Sequence, residues 1–201
     1  MENQDKKRII IIEAALKRFA HYGLSKTTMS EIAKDISLSK ALLYYYFPDK
    51  LSLYVSTMEY LMHKMSREIV KSIDKTSSAT DAVLKLLQKR QSYIQKYYNL
   101  FESSQTIGND LPKDLSDKYD KAKAFEKIII SSLLSRGVSH GELAIEDPKL
   151  ATEIFIDAIA GIHFNILAKD KSIFPGKEQF KEIFYKEKVF AEIFLSGIRA
   201  K

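Results

Sequence analysis

Residues 28–47 read TMSEIAKDISLSKALLYYYF and contain the most specific folding signal in the chain. Thr28 and Glu31 form a T-x-x-E capping box, a pattern that marks the start of a helix. Ser39 is a favoured N-cap residue for a second short helix, which reaches about Phe47. Two short helices with a tight connection predict a helix-turn-helix, whose second helix can enter the major groove of DNA.

The predicted second helix has an inner and an outer face. Residues expected to pack the motif onto the preceding helix are Ile32, Ala33, Ile36, Leu38 and Leu43. Successive residues of a helix point about 100° apart, so four aromatic residues in a row cannot all be buried. We assign Tyr46 and Phe47 to packing, and leave Tyr44 and Tyr45 exposed with Lys40, Ala41 and Leu42.

Helical periodicity continues through nearly all of the remaining sequence. Period-2 alternation and Asn-Gly turns, which mark strands and hairpins, do not occur in it. We therefore predict an all-α fold of about nine helices. The expected ranges are about 6–22, 30–36, 39–47, 49–73, 80–103, a short segment near 108–110, 112–135, 148–169 and 177–199, with a turn over 137–141.

Composition limits the class of protein. The 201 residues include 45% hydrophobic and 29% charged residues, which excludes an intrinsically disordered chain. The lack of cysteine excludes disulfides and thiolate chemistry. We find no signal-peptide pattern and no run of about 20 apolar residues, so we expect a cytoplasmic protein that does not span a membrane. Half of the net charge of +6 lies in residues 1–50, which alone does not establish DNA binding.

Residues 9–55 resemble the DNA-binding region of the tetracycline-repressor (TetR) family of bacterial regulators. The residues that carry the resemblance are Ile12, Ala15, Leu16, Phe19, Tyr22-Gly23, Thr27-Thr28-x-x-Glu31-Ile32-Ala33 and Leu38-Ser39-Lys40-x-x-Leu43-Tyr44-x-Tyr46-Phe47-x-x-Lys50. The resemblance implies a three-helix DNA-binding domain over residues 1–50. It also implies a helical effector-binding and dimerisation domain over residues 51–201.

The resemblance further implies which residues contact DNA. Thr28 and Lys50 are expected to contact phosphates. The residues expected to line the groove are Ser39, Lys40, Ala41, Leu42, Tyr44 and Tyr45. Ala41 replaces a glycine that is usual in the family, and Leu42 replaces a common Thr or Asn. At Leu42 we therefore expect contact with a thymine methyl group rather than a hydrogen bond to a base.

An effector site is the second expectation. Tyr93, Tyr97 and Phe101 recur at i, i+4 and i+8, a stripe that on its own suits plain core as well as a pocket wall. The family has a ligand cavity among the helices of its C-terminal domain. The effector-contacting residues implied here are Tyr93, Tyr97, Phe101, Tyr119, Phe155, His163 and Phe164. With His163 or Tyr119 as a polar anchor, this lining suits an uncharged or mono-anionic lipophilic molecule better than a sugar or nucleotide.

The last two predicted helices suggest a subunit interface. Small residues such as Ala158 and Gly161 permit close helix approach, and the last helix carries four phenylalanines, too many for one inner face. In the family these two helices form a four-helix dimer interface. We therefore expect a homodimer whose interface includes Ala158, Gly161, Phe190 and Phe194.

These features predict a ligand-responsive transcriptional regulator, in this family most often a repressor. It would bind a palindromic double-stranded DNA operator and be released by a small molecule. A DNA-binding dimer without an effector remains open. A small all-α enzyme is a weaker alternative, because the sequence has no nucleophile elbow, no phosphate-binding loop and no metal-ligand spacing among its four histidines. We expect no catalytic residue, cofactor or metal.

Overall fold

The computed structural model describes residues 2–76, 78–101, 113–169 and 176–200, without the side chains of residues 2–4, 114, 115, 118, 119, 122, 123 and 169. Within these ranges it contains eight helices: α1 (Glu2–Tyr22), α2 (Met29–Asp35), α3 (Lys40–Tyr46), α4 (Lys50–Ile73), α5 (Ala79–Lys96), α6 (Lys113–Ser139), α7 (Pro148–Lys169) and α8 (Lys177–Gly197). Residues 98–101 are also helical. The all-α prediction is confirmed, while the expected segment near 108–110 lies outside the described residues.

The helices belong to two compact units. The N-terminal unit comprises Met1–Lys64 and Lys96–Lys123, and the C-terminal unit comprises Met65–Gln95 and Ala124–Lys201.

The core of the N-terminal unit joins the helix-turn-helix to α1 and α4. Its largest fully buried side chains include Phe19, Ile32, Leu43, Phe47 and Tyr54. The ring centroids of Phe19 and Tyr54 lie 5.5 Å apart, edge to face. The expected packing residues Ile32, Ala33 and Leu43 are buried, and Ile36 and Leu38 are half-buried.

Two predicted chain signals are confirmed in this unit. Gly23 has φ 75° and its N–H donates to the carbonyl of Phe19 at 2.9 Å, which ends α1 with a left-handed residue. At the start of α2, the Thr28 hydroxyl accepts from the backbone N–H of Glu31 at 3.2 Å. The Glu31 carboxylate accepts from the backbone N–H of Thr28 at 2.9 Å, completing the capping box.

The predicted end of the fifth helix was wrong. The helix ends at Lys96 rather than near residue 103, and residue 97 forms a turn. The Asn99 side chain then donates to the carbonyls of Ala20 and His21, at 3.1 and 2.9 Å, near the C-terminus of α1. This contact between distant segments satisfies two helix-end carbonyls, and hydrophobic periodicity gives no sign of it.

The predicted turn at residues 137–141 was also wrong over its first three residues, which are helical. Gly137 lies inside α6, which ends at Ser139, and the turn over residues 140 and 141 contains Gly141, which has φ 69°. The N–H of Glu142 donates to the carbonyl of Gly137 at 2.9 Å, and that of Gly141 to the carbonyl of Val138 at 3.0 Å. This pair of bonds is a Schellman ending, which needs its glycine at Gly141.

Gly137 instead permits Leu143 and Ala79 to lie close to the backbone of α6, which leads to a first prediction. A Cβ atom at Gly137 would lie 2.5 Å from Leu143 Cδ1 and 2.9 Å from Ala79 Cβ. We expect Gly137→Ala to lower the free energy of unfolding by about 1–2 kcal/mol, because overpacking outweighs the better helix propensity of alanine. Urea denaturation measures this change. Gly197→Ala is the control, since nothing lies within 4 Å of its Cβ position; equal effects of both variants would contradict the close approach.

The C-terminal unit contains an antiparallel pair formed by α7 and α8. The Phe155 ring, in the first half of α7, lies 5.7 Å from Phe190 and 5.4 Å from Phe194, both near the end of α8. Because residues 170–176 connect the other ends of these helices, the pair runs antiparallel.

In the described part of the chain, Pro148–Ala168 is the one helix long and apolar enough to span a membrane, a criterion that core helices of soluble proteins also meet.

Candidate nucleic-acid interface and effector site

The outer face of α3 presents mostly exposed side chains. Tyr45 is 69% exposed, and Lys40, Ala41 and Tyr44 are also exposed, while Leu42 is half-buried. The Lys40 ammonium lies 5.8 Å from the centroid of the Tyr44 ring. The helix is fixed at its start by the Ser39 hydroxyl, which accepts from the Leu42 N–H at 3.2 Å. Tyr46 is half-buried and Phe47 is buried, as the sequence predicts.

The turn before α3 has a left-handed residue that is not glycine. Ser37 has φ 53°, and the next residue, Leu38, donates its N–H to the carbonyl of Ala33 at 2.9 Å. The left-handed conformation costs a non-glycine residue about 1–2 kcal/mol. This strained residue sets the direction in which α3 leaves α2.

Two arginines of α1 hold the motif in place. Arg18 makes a bidentate pair with Asp35, through Nε at 2.6 Å and Nη2 at 2.7 Å, and Nη1 lies 3.5 Å from Glu31. The hydrogen bonds from Arg18 lower the pKa of Asp35. Arg8 lies 4.8 Å above the Phe47 ring and donates to the Ser56 hydroxyl at 3.2 Å. These contacts join α1 to α2, to the end of α3 and to α4.

The two expected phosphate-contacting residues lie at the connection between α1 and α2. The Thr28 hydroxyl donates to Glu31 Oε2 at 2.7 Å. The Lys50 ammonium donates to the carbonyls of Leu24 and Thr27, at 2.9 and 3.0 Å. An ammonium has three donors, so one donor of Lys50 remains for a phosphate. Lys50 therefore holds this connection in shape as well as carrying a charge to it.

The expected effector residues are divided between the two units. Tyr97 and Phe101 belong to the N-terminal unit, whereas Tyr93, Phe155, His163 and Phe164 belong to the C-terminal unit. The side chain of Tyr119 lies outside the described residues. Tyr97 borders an open groove of about 480 Å³ with residues of α1 and α4. Grouping Phe164 with Phe155 was wrong: nine residues separate them, so they point to opposite sides of α7, and Phe164 is 68% exposed while Phe155 is buried.

A buried polar cluster in the C-terminal unit escaped the sequence analysis. Arg90 pairs with Glu126 Oε1 through Nε at 2.7 Å and with Glu187 Oε1 through Nη1 at 3.1 Å. Burial raises the pKa of Glu187, and the charge of Arg90 opposes this shift. Burial also lowers the pKa of His163 to about 4, with a contribution from Arg90. The sequence signal that could have revealed this cluster is Glu187, a charged residue within an otherwise apolar stripe of α8. The buried residues of this stripe are Phe180, Ile183, Glu187, Ala191 and Leu195.

The same unit has an exposed apolar surface on α7 and α8. Residues Leu150, Ile154, Gly161 and Phe164 repeat at intervals of three, four or seven and so follow one side of α7. On α8, Tyr185 and Ile193 are each about two-thirds exposed. Of the expected interface residues, Ala158 and Gly161 are partly exposed, while Phe190 and Phe194 pack against Phe155 and are half-buried. We call Leu150, Ile154, Phe164, Tyr185 and Ile193 the apolar α7–α8 surface.

Among the described residues, no group of three or more His, Cys, Asp or Glu side chains is arranged to hold a metal ion.

Comparisons with known proteins agree with this geometry. The model for bacterial regulatory proteins of the tetR family matches residues 11–57, which include α2, α3 and the start of α4. A curated relative is IcaR of Staphylococcus aureus, the HTH-type negative transcriptional regulator of the biofilm operon icaADBC. The chain is 26% identical to it over 129 residues, which cover 56% of this chain and 69% of IcaR.

Solved structures extend the likeness to nearly the whole chain. A transcriptional regulator from Cytophaga hutchinsonii is 27% identical, with a TM-score of 0.84 over 96% of this chain and 99% of that one. FadR from Bacillus subtilis, solved in complex with stearoyl-CoA, is 20% identical, with a TM-score of 0.73 over 94% of this chain and 98% of FadR. The likeness to FadR concerns the fold alone.

Proposed function

Because the chain belongs to the tetR family of bacterial regulatory proteins, we propose that it is a ligand-responsive transcriptional repressor of the cytoplasm. It binds a palindromic operator as a homodimer and is released by a small, mainly apolar effector. Residues 1–50 form the DNA-binding domain and residues 51–201 the effector-binding and dimerisation domain. The observation that carries the proposal is the exposed outer face of α3, on a motif that Arg18 and Arg8 fix to α1.

In this proposal α3 enters the major groove. The hydroxyl groups of Tyr44 and Tyr45 hydrogen-bond to DNA, and the Leu42 side chain contacts a thymine methyl group. Lys40 adds a charge on the same exposed face. Thr28 and Lys50, both at the α1–α2 connection, contact phosphates and set the register of the helix, without reading sequence themselves.

A second copy of the chain covers the apolar α7–α8 surface. Five large apolar side chains are at least half exposed on these two neighbouring helices, and exposed apolar side chains that lie together are typical of a protein–protein interface. A two-fold axis through such a patch matches each helix pair with the same pair of the partner, giving four helices at the interface. The two α3 helices then meet half-sites about 34–36 Å apart.

Release requires that the effector bind the non-matching arrangement of the two α3 helices better than the matching one. Helix α4 is the element suited to transmit the difference. It begins at Lys50, beside the α1–α2 connection, and its 24 residues extend for about 36 Å. IcaR, a negative regulator, supports repression.

A test of the α3 interface uses single substitutions. Tyr45→Phe removes only an exposed hydroxyl, so we expect unchanged stability and a fewfold loss of operator affinity. Lys50→Ala is expected to weaken binding to every sequence and to reduce the salt slope of log K by about one per subunit. Substitutions of Leu42 are expected to change the preferred base at one position in each half-site. Fluorescence titrations at several salt concentrations measure all three effects.

The matched control for lost charge is Lys186→Ala, which removes one lysine from an exposed position of α8. Because Lys50 also holds two backbone carbonyls, the folded state of Lys50→Ala must be checked by circular dichroism. Wild-type affinity and salt slope in both Tyr45→Phe and Lys50→Ala would contradict this orientation of α3.

A further inference from the structure

A carboxylate lies in the middle of the buried stripe of α8, where packing favours an apolar side chain. Glu187 is 0% exposed, and its neighbours one turn away, Ile183 and Ala191, are also fully buried. Glu187 Oε1 accepts from Arg90 at 3.1 Å, but Oε2 has no hydrogen-bond partner. A buried ion pair stabilises a fold no better than apolar residues of similar volume, and an unpartnered oxygen adds a cost. Stability alone therefore does not account for this carboxylate.

Two more buried atoms in the C-terminal unit have no hydrogen-bond partner. They are Gln91 Oε1 and His163 Nδ1. Gln91 is held by its other amide atom, since Nε2 donates to the carbonyl of Phe180 at 2.9 Å. His163 lies close enough to Arg90 for its pKa to be lowered by that charge. The unsatisfied atoms thus come from three helices, α5, α7 and α8.

The register of the α7–α8 pair places these atoms in one region. Phe155 contacts Phe190 and Phe194. In an antiparallel pair, a step of eight residues along α7 corresponds to eight residues back along α8. This step leads from Phe155 to His163 and from the middle of 190–194 to about residue 184. His163 therefore lies at the level of the segment between Phe180, which Gln91 contacts, and Glu187, a length of about 10 Å.

The chemistry of the region favours a cation that carries hydrogen-bond donors. Glu187 Oε2 and Gln91 Oε1 are acceptors, and the neutral imidazole of His163 can accept at Nδ1. Arg90, Glu126 and Glu187 together carry one net negative charge, which disfavours an anion. A primary ammonium group has three N–H donors and one positive charge. It therefore matches the three acceptor atoms and the net negative charge of the region.

We propose that the region around Glu187, Gln91 and His163 binds the polar end of the effector, and that the effector is a lipophilic primary amine. The ammonium donates to Glu187 Oε2, which gives it the partner it lacks. The inference rests on the proposed function for the existence of an effector, and it replaces the uncharged or mono-anionic head group expected from the aromatic residues.

The test compares four probes with the same chain length: octylamine, octyltrimethylammonium, octanoate and octanol. Binding to the full-length protein is measured by isothermal titration calorimetry and by thermal shift, below the concentrations at which the probes aggregate. We expect octylamine to bind at least tenfold more tightly than each of the others. Glu187→Gln is expected to lose at least tenfold in octylamine affinity, while Glu192→Gln, the same change at an exposed position of α8, binds as the wild type does.

His163→Phe is a second test variant, which keeps the proposal testable if Glu187→Gln fails to fold. It is expected to lose severalfold in octylamine affinity. Equal or tighter binding of octanoate or octanol, equal binding of the trimethylammonium probe, or undiminished binding in both variants would overturn the proposal. Because these titrations contain no DNA, their failure leaves operator binding intact. A protein that binds octylamine but no operator DNA would instead contradict the proposed function.

Discussion

Ile193→Glu is expected to turn the proposed dimer into a monomer and to weaken operator binding at least a hundredfold. Ile193 is 67% exposed on the apolar α7–α8 surface, so the subunit alone tolerates a charge there. In a two-fold dimer the substitution buries two carboxylates without partners, at a cost of several kcal/mol. Analytical ultracentrifugation at micromolar concentration gives the mass, and a DNA titration gives the affinity.

The control for Ile193→Glu is Ser92→Glu, which introduces the same charge at an exposed position of α5. It is expected to remain dimeric. Phe194→Glu, which the sequence alone would select for breaking the dimer, is expected to destabilise the subunit itself, because Phe194 packs 5.4 Å from Phe155. A fully dimeric Ile193→Glu protein with wild-type operator affinity would place the subunit interface elsewhere.

Arg90→Ala is expected to lower the free energy of unfolding by about 3–5 kcal/mol at pH 7.5, because it leaves the buried Glu187 without a cation. The double variant Arg90→Met/Glu187→Leu is expected to regain most of this loss, since it removes both charges. Urea denaturation measures both. Lys127→Ala, which removes one partner of an exposed pair with Glu153, is the control and is expected to change stability little.

The loss in Arg90→Ala is also expected to depend on pH. Burial raises the pKa of Glu187 in the folded protein above its value in the unfolded chain, and removal of Arg90 raises it further. In the window between the two values the folded state binds more protons, so stability falls as the pH rises through it. Arg90→Ala should therefore be less destabilised at pH 5 than at pH 7.5. An equal loss at both values would contradict an ionised, buried Glu187.

Much of the N-terminal unit could be predicted from the sequence because its signals involve residues close together in the chain. The Thr28 and Glu31 capping box and the Gly23 stop each depend on residues within four positions of one another, so the pattern specifies the geometry. The Arg18 pair with Asp35 depends on how α1 and α2 pack. No spacing rule connects residues that far apart.

The C-terminal unit was less predictable because its decisive contacts join distant segments. Phe164 and Phe155 are both phenylalanines of α7. They differ in the direction in which they project from the helix, so that Phe164 is exposed and Phe155 is buried. Glu187 could have been noticed as a charge within an apolar stripe. Its partners, Arg90 and Glu126, lie on other helices, so the sequence does not reveal the cluster.

Selection of DNA from a random-sequence library by the wild-type protein tests the central proposal most directly, since the operator sequence need not be known beforehand. A dimer that reads DNA with α3 is expected to enrich an inverted repeat whose half-sites are centred about one helical turn, or a whole number of turns, apart. The same selection with a Leu42 variant should change one base in each half-site. Recovery of no enriched sequence, or of a single unrepeated site bound by a monomer, would contradict the proposal.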